Sequence, residues 1–373
     1  MSNLKKYNVF VFINSFAKSL MEVFVVIILY NKGFNIEKIL LFLLFKHVFC
    51  ILILPIYRLL SKILSYSKLM ILSSLIYLIA FYYLNVLESG ILSLLMLSII
   101  LAMYSDFYWI GRHIYALSII EEKKTTDNVF LYEMFGLFGR AFATYIGAYT
   151  LTKYNYNYTL IIVFILLVIS IVPLIKMDKN KIKPEGTIWH IFKTFPIRNT
   201  IFDSLDQVRN LSIYLFPLYV YLFIKSDFKY IGLLNLVCTL GSIIYLYILS
   251  KKMDKNKKDY LKISSIFLAL VFFFRITIKQ NILYLIVIFI EGFFKSSMQA
   301  ITTRNNYAYS KNYNLVTYVY YNEYFVNSIK VIILLFFYLL NFDLKSIIVL
   351  SIITMVINSF IGYDDGKYGY SKC

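Results

Sequence analysis

LYEMFGLFGRAF, Leu131–Phe142, and YNEYFVNSIKVI, Tyr321–Ile332, are the two stretches on which the fold is read. Glu133, Phe135 and Arg140 of the first align with Glu323, Phe325 and Lys330 of the second at one constant offset. Each stretch sits inside a long apolar run, where an ionisable side chain is costly, at about 2.5–3.5 kcal/mol on insertion scales. The same costly pattern at equivalent places in two runs points to a chain built from two similar halves.

Working outward from these two runs, ten more of comparable length are found. The twelve expected spans are roughly 8–30, 39–60, 68–85, 91–117, 129–151, 158–176, 199–223, 229–250, 260–278, 282–303, 315–340 and 345–362. Each is long enough to cross a bilayer as a helix. None shows the apolar–polar alternation of a barrel strand, so helices are the remaining way to satisfy the backbone in hydrocarbon. Composition agrees. Of 373 residues 60% are hydrophobic and only 16% are charged, where a soluble domain carries about 25%. Mean hydropathy is +0.71. A soluble enzyme, a disordered chain and a disulfide scaffold are excluded on these grounds. Lys5 and Lys6 precede an apolar run too long for a signal-peptide core, so no cleavable leader is expected. The use of Ile, Lys, Asn, Tyr and Phe suits an AT-rich genome, which accounts for part of the 19% aromatic content.

The net charge of +18 is spread in short basic clusters between spans and is no nucleic-acid signature. With the N-terminus inside, cytoplasmic segments hold roughly three times as many Lys and Arg as external ones. Both termini are therefore expected in the cytoplasm of a cell-membrane protein. The longest connection, 177–198, holds five basic residues from Lys179 to Arg198 together with Pro184, Gly186 and Pro196. It divides the chain into an N-terminal six-helix bundle, 1–176, a cytoplasmic linker, 177–198, and a C-terminal six-helix bundle, 199–373. Within the linker, Thr187–Phe195 reads either as an interfacial helix with Trp189 and Phe192 toward lipid or as a solvated connection.

The plan resembles the major facilitator superfamily over essentially the whole chain. SLMEVFVVIILYNKGF (Ser19–Phe34), the Pro55 end of span two, YSDFYWIGRH (Tyr104–His113) and ATYIGAYTL (Ala143–Leu151) are similar to a little-characterised prokaryotic branch of it. The superfamily's cytoplasmic signature, Gly-x-x-x-Asp followed by a basic residue, is eroded between spans two and three. Leu54–Met70 keeps basic residues but has neither the Gly nor the Asp. A better copy follows span eight, with Gly241, Lys251 and Asp254. The resemblance implies that spans one, four, seven and ten line a central cavity and that spans three, six, nine and twelve are outer supports.

The intramembrane charges fall accordingly. Lys18 and Glu22 lie in span one, Lys46 in two, Asp106 in four, and Glu133 and Arg140 in five. Asp203, Asp206 and Arg209 lie in seven, Glu291 and Lys295 in ten, Glu323 and Lys330 in eleven. Spans three, six, nine and twelve carry charge only near their ends, as with Lys262 and Arg275. Helical spacing suggests partners. Lys18 with Glu22 and Glu291 with Lys295 are four apart, Asp206 with Arg209 three, and Glu133 with Arg140 and Glu323 with Lys330 seven. The two seven-residue pairs are read as ion pairs, structural or coupling. Lys18, Glu22, Asp106, Trp109, Asp206, Arg209, Glu291 and Lys295 are the candidates for substrate or proton binding. His47 is read as a core histidine.

Three scattered histidines and three scattered cysteines give no metal-ligand spacing. No P-loop, dinucleotide fingerprint or catalytic elbow is present, so no cofactor and no enzymatic activity are expected. The function expected is secondary active transport of a small organic solute by alternating access, with protons as a candidate coupling ion. The chain is expected to act as a monomer in the bilayer, with no nucleic-acid partner. A lipid-linked saccharide flippase of similar span count and a non-transporting membrane sensor are the alternatives.

Overall fold

The computed structural model describes residues 3–119, 125–177, 185–252, 257–310 and 313–362. Asp254 of the second signature copy and residues 178–184 of the linker lie outside them. The helices are α1 (Asn3–Ser19), α2 (Val25–Asn31), α3 (Ile36–Ile63), α4 (Tyr66–Val86), α5 (Ile91–Ile119), α6 (Thr125–Lys153), α7 (Tyr156–Ile175) and α8 (Ile188–Thr194). They continue as α9 (Ile197–Phe223), α10 (Phe228–Lys252), α11 (Lys257–Thr277), α12 (Asn281–Ser310), α13 (Leu315–Leu339) and α14 (Leu344–Ile361). A 3-10 turn, Glu22–Phe24, joins α1 to α2, so these two form span one. Spans two to six are α3–α7, and spans seven to twelve are α9–α14. Ten of the twelve are long and apolar enough to cross a membrane. The other two, α6 and α9, are the charge-bearing spans five and seven.

Short connections leave little chain to satisfy the first turn of each helix, and side chains do it instead. Asn35, Asn155, Asn314 and Asp343 each accept a hydrogen bond from the backbone N–H three residues on, at 2.7–3.1 Å. This is N-capping, worth about 0.5–2 kcal/mol per helix.

Span one departs from the expected continuous helix. The backbone N–H of Met21 bonds to the carbonyl of Lys18 and that of Phe24 to Met21, both three residues back. No proline or glycine lies in this stretch. The break lies where α6 packs against it, so close that a Cβ on Gly147 would collide with the Leu20 carbonyl. The tighter winding there rotates Glu22 out of register with Lys18.

The helices α1 to α7 pack chiefly on one another, and so do α9 to α14. The two sets meet along α6 against α10 and α3 against α13. At the end of the bundle away from α8 the halves close tightly. There Gly232 of α10 lies against Thr144, Tyr145 and Ala148 of α6, and Phe24 meets Phe228 with ring centroids 5.4 Å apart. The helix α7 lies at the periphery. Only 28% of its apolar window is buried, so most of its Ile, Phe and Val side chains face lipid. The linker helix α8 presents Trp189, 67% exposed. Phe192 is exposed beside it, with ring centroids 6.2 Å apart, and its other edge meets Tyr321 at 4.8 Å, which anchors α8 to α13.

Candidate functional site

Two cavities lie between the halves. One, of about 240 Å³, is walled by span one, α6, α9, α10 and α12. The other, of about 410 Å³, is walled by span one, α3, α5, α9, α12 and α13. Glu22, Tyr214, Lys295 and Gln299 belong to both walls, so the two spaces adjoin at a waist of these four side chains. No described residue of α4, α7, α11 or α14 lines either cavity. Spans three, six, nine and twelve are thus outer helices. The lining extends beyond spans one, four, seven and ten to two, five, eight and eleven.

The buried charges sort into those closed into pairs and those facing the cavities. Asp206 and Arg209 form a two-point pair, Nε to Oδ1 at 2.6 Å and NH2 to Oδ2 at 3.0 Å, as their three-residue spacing suggests. The other helical spacings do not give pairs. Glu133 pairs with Arg112 of α5 at 3.5 Å, not with Arg140. Glu291 pairs with Arg275 of α11, not with Lys295. In both cases the partner is an arginine near a span end on a neighbouring helix, whose long stem reaches inward.

Lys18 and Glu22 do not pair either. The lysine ammonium sits 3.7 Å from the centre of the Tyr108 ring, with Tyr104 and Trp109 at 5.2 and 5.5 Å. It is 6% exposed and held by ring faces, a cation–π arrangement. Glu22, turned away by the 3-10 winding, reaches the waist. Glu323 and Lys330 both line the larger cavity and make no ion pair with each other: two helical turns along α13 leave their head groups apart, each toward the open space.

Asp106 is buried, with the Cys50 thiol of α3 as the hydrogen-bonding group beside its carboxylate. It lines neither of the two cavities. Trp109 does line the larger one. Its ring is 5.8 Å from that of His113 and 5.0 Å from the Arg112 guanidinium. Arg140 lines the smaller cavity, with Nε donating to the Gly136 carbonyl at 3.3 Å.

Several cavity residues are not among the sequence candidates for substrate or proton binding. Lys46 lines the larger cavity, its ammonium 5.1 Å from the Tyr214 ring across the gap between halves. It was visible as a charge inside an apolar run. His47 is buried as expected of a core histidine, but it also lines the cavity and donates from Nδ1 to Asn327 Oδ1 of α13 at 2.8 Å. A second cross-half bond joins His113 Nδ1 and Tyr307 Oη at 2.8 Å. Tyr214, Gln299 and Asn327 carried no signal, because a neutral polar side chain in a helix is as often a packing residue.

Lys46, Lys295, Lys330, Glu22 and Glu323 therefore line the central space without an ion pair among the described residues. Each is only half-buried, as side chains facing a hydrated cavity are. A charge unpaired at bilayer depth is costly, so its retention there needs a ligand or water to solvate it.

The family model described as Major Facilitator Superfamily matches residues 8–314. No curated protein matches the chain. Among solved structures, the crystal structure of a bacterial homologue of the iron transporter ferroportin in its outward-facing state is similar. The likeness covers 97% of this chain and 98% of that one at a TM-score of 0.68 and 12% identity, a likeness of fold.

Proposed function

Because this chain belongs to the Major Facilitator Superfamily, we propose that it is a secondary active transporter moving a small organic solute across the cell membrane by alternating access. The observation that carries this reading is the cavity between the halves, lined by both and holding charges of both signs outside any ion pair among the described residues. Such a lining suits an amphiphilic or zwitterionic solute, whose own charges complete the pairs and whose body lies against Tyr214 and Trp109.

In this reading residues 1–176 and 199–373 rock as two bodies about the waist, joined by the 177–198 linker. The chain works as a monomer, with both termini and the linker in the cytoplasm, as the Lys and Arg distribution favours. Glu22 is the coupling group, since it faces both cavities and has no ion-pair partner among the described residues. A proton bound there alters what the neighbouring cations attract, which links proton and solute binding.

The test is flux in proteoliposomes with a panel of organic solutes, with and without an imposed pH gradient. Saturable flux of one solute class, driven by the gradient and lost to gradient drive in Glu22→Gln, is the expected result. Binding of a solute with no flux under any gradient makes the chain a non-transporting sensor.

A further inference from the structure

The carboxylates of α6 and α12 each have a cation on their own helix within reach of spacing, yet both are taken by arginines from other helices. Arg112 holds Glu133 and Arg275 holds Glu291. Arg140 and Lys295 are left without ion-pair partners among the described residues. Both line the smaller cavity, Arg140 from the first half of the chain and Lys295 from the second. Among the described residues the one other wall charge outside an ion pair is Glu22. The remaining polar wall is neutral, with Asn235, Thr239, Ser242 and Gln299.

We propose that this cavity binds the anionic group of a water-soluble organic solute, a carboxylate, sulfonate or phosphate, between Arg140 and Lys295, with Glu22 as the internal competitor for both cations. The proposal rests on the transport reading and names its solute class. Two cations and one carboxylate leave one positive charge uncompensated, and an anion supplies the missing partner. The guanidinium offers two parallel donors to such a group and the ammonium a point charge. The rest of the solute extends past Tyr214 into the larger cavity. The combined space is of the size that encloses a small organic molecule, for which pockets run about 300–1,000 Å³. Because the two cations stand on opposite halves, their separation changes when the halves rock. Anion affinity then differs between states, which is what alternating access requires of a substrate.

The experiment is a thermal-shift titration of the purified chain with three size-matched probes: phenylbutyrate, phenylbutanol and phenylbutylamine. Phenylbutyrate alone is expected to stabilise. Arg140→Gln and Lys295→Met should each weaken its binding about tenfold or more, the loss expected for a hydrogen bond to a charged group. Glu22→Gln removes the competing charge and should tighten binding, a gain that misfolding cannot imitate. Equal stabilisation by the alcohol or the amine, no stabilisation by phenylbutyrate, or unchanged affinity in the Arg140→Gln, Lys295→Met double variant overturns the proposal. So does a headgroup occupant, revealed if the probe's affinity drops in nanodiscs of anionic lipid relative to zwitterionic lipid. Flux separates this site from the reading beneath it. Anion preference absent while an uncharged solute is still transported sinks the site alone. The expected binding pattern with no flux of any solute sinks the transport reading and leaves the site.

Discussion

Arg275 of α11 is ion-paired with Glu291 of α12, and Lys295, one turn further along α12, consequently faces the central cavities. An arginine on an outer helix thus sets the charge presented by an inner one. Both members of the pair are nearly out of contact with solvent, 6% and 2% exposed. Arg275→Leu leaves an isolated buried carboxylate and should destabilise by about 3–5 kcal/mol, whereas Arg275→Leu with Glu291→Leu should recover most of that loss. Melting of the two variants in detergent checks this. A double variant as unstable as the single would mean that the pair contributes more than mutual neutralisation.

Gly147 and Gly136 lie on the same helix and should respond differently to alanine. At Gly147 the added methyl meets the backbone carbonyl of Leu20, which cannot rotate away. At Gly136 it meets only side-chain atoms, of Val11 at 3.5 Å, Ser15 at 3.6 Å and Arg140 at 4.0 Å, all ordinary van der Waals contact. Gly147→Ala should cost about 1–3 kcal/mol, the usual range for overpacking, and reduce flux by displacing the turn that carries Glu22. Gly136→Ala should be near neutral in both. Melting temperature and flux of the two variants, measured side by side, are the check.

Lys18 stands against a ring face and not against Glu22. Lys18→Met keeps the apolar stem and loses a cation–π contact of about 0.5–2 kcal/mol, but strands no carboxylate. Its melting loss should stay within that range, and Lys18→Met with Glu22→Gln should show the sum of the two single effects. A double-mutant coupling above about 1 kcal/mol would restore the direct pair.

Asp343 caps α14 from the loop before it, accepting from the Ser346 N–H at 2.7 Å. Hydrogen bonds from Ser346 hold its carboxyl below the usual carboxylate range. A depressed folded-state value means that the cap's charge contributes stability above the unfolded value of about 3.9 and loses it as pH falls through the folded one. Asp343→Asn keeps an acceptor, so its melting temperature should change less with acidification than the parent's, while Asp343→Ala should lose about 0.5–2 kcal/mol at neutral pH. Parallel melts at neutral and acid pH separate the two effects.

Topology is tested by cysteine labelling at two exposed sites, Asn31 at the end of α2 and Thr187 before α8. An odd number of spans separates them, so Asn31→Cys and Thr187→Cys should react from opposite sides of the membrane, Thr187→Cys from the cytoplasm. Reaction of both from one side would overturn the span assignment.

The linear chain determined the long apolar helices, their order and which of them line no cavity. These follow from local quantities: the length of an apolar run, the cost of a charge within it, and the absence of charge from the middles of spans three, six, nine and twelve. Glu133, Arg140, Glu323 and Lys330 were legible as a repeated feature for the same reason. Tertiary structure decided the partners. A buried carboxylate is neutralised by whichever cation packing brings nearest, so Arg112 and Arg275, near span ends on other helices, displace the same-helix cations that spacing favours. Likewise Lys18 and Glu22 have the four-residue spacing of a pair only while the helix stays regular, and that regularity ends at Leu20, where α6 packs against it at Gly147. Spacing fixes neighbours along one helix. Which face a neighbouring helix covers depends on residues far away in the chain, and only the folded arrangement brings Arg140 and Lys295 to one cavity.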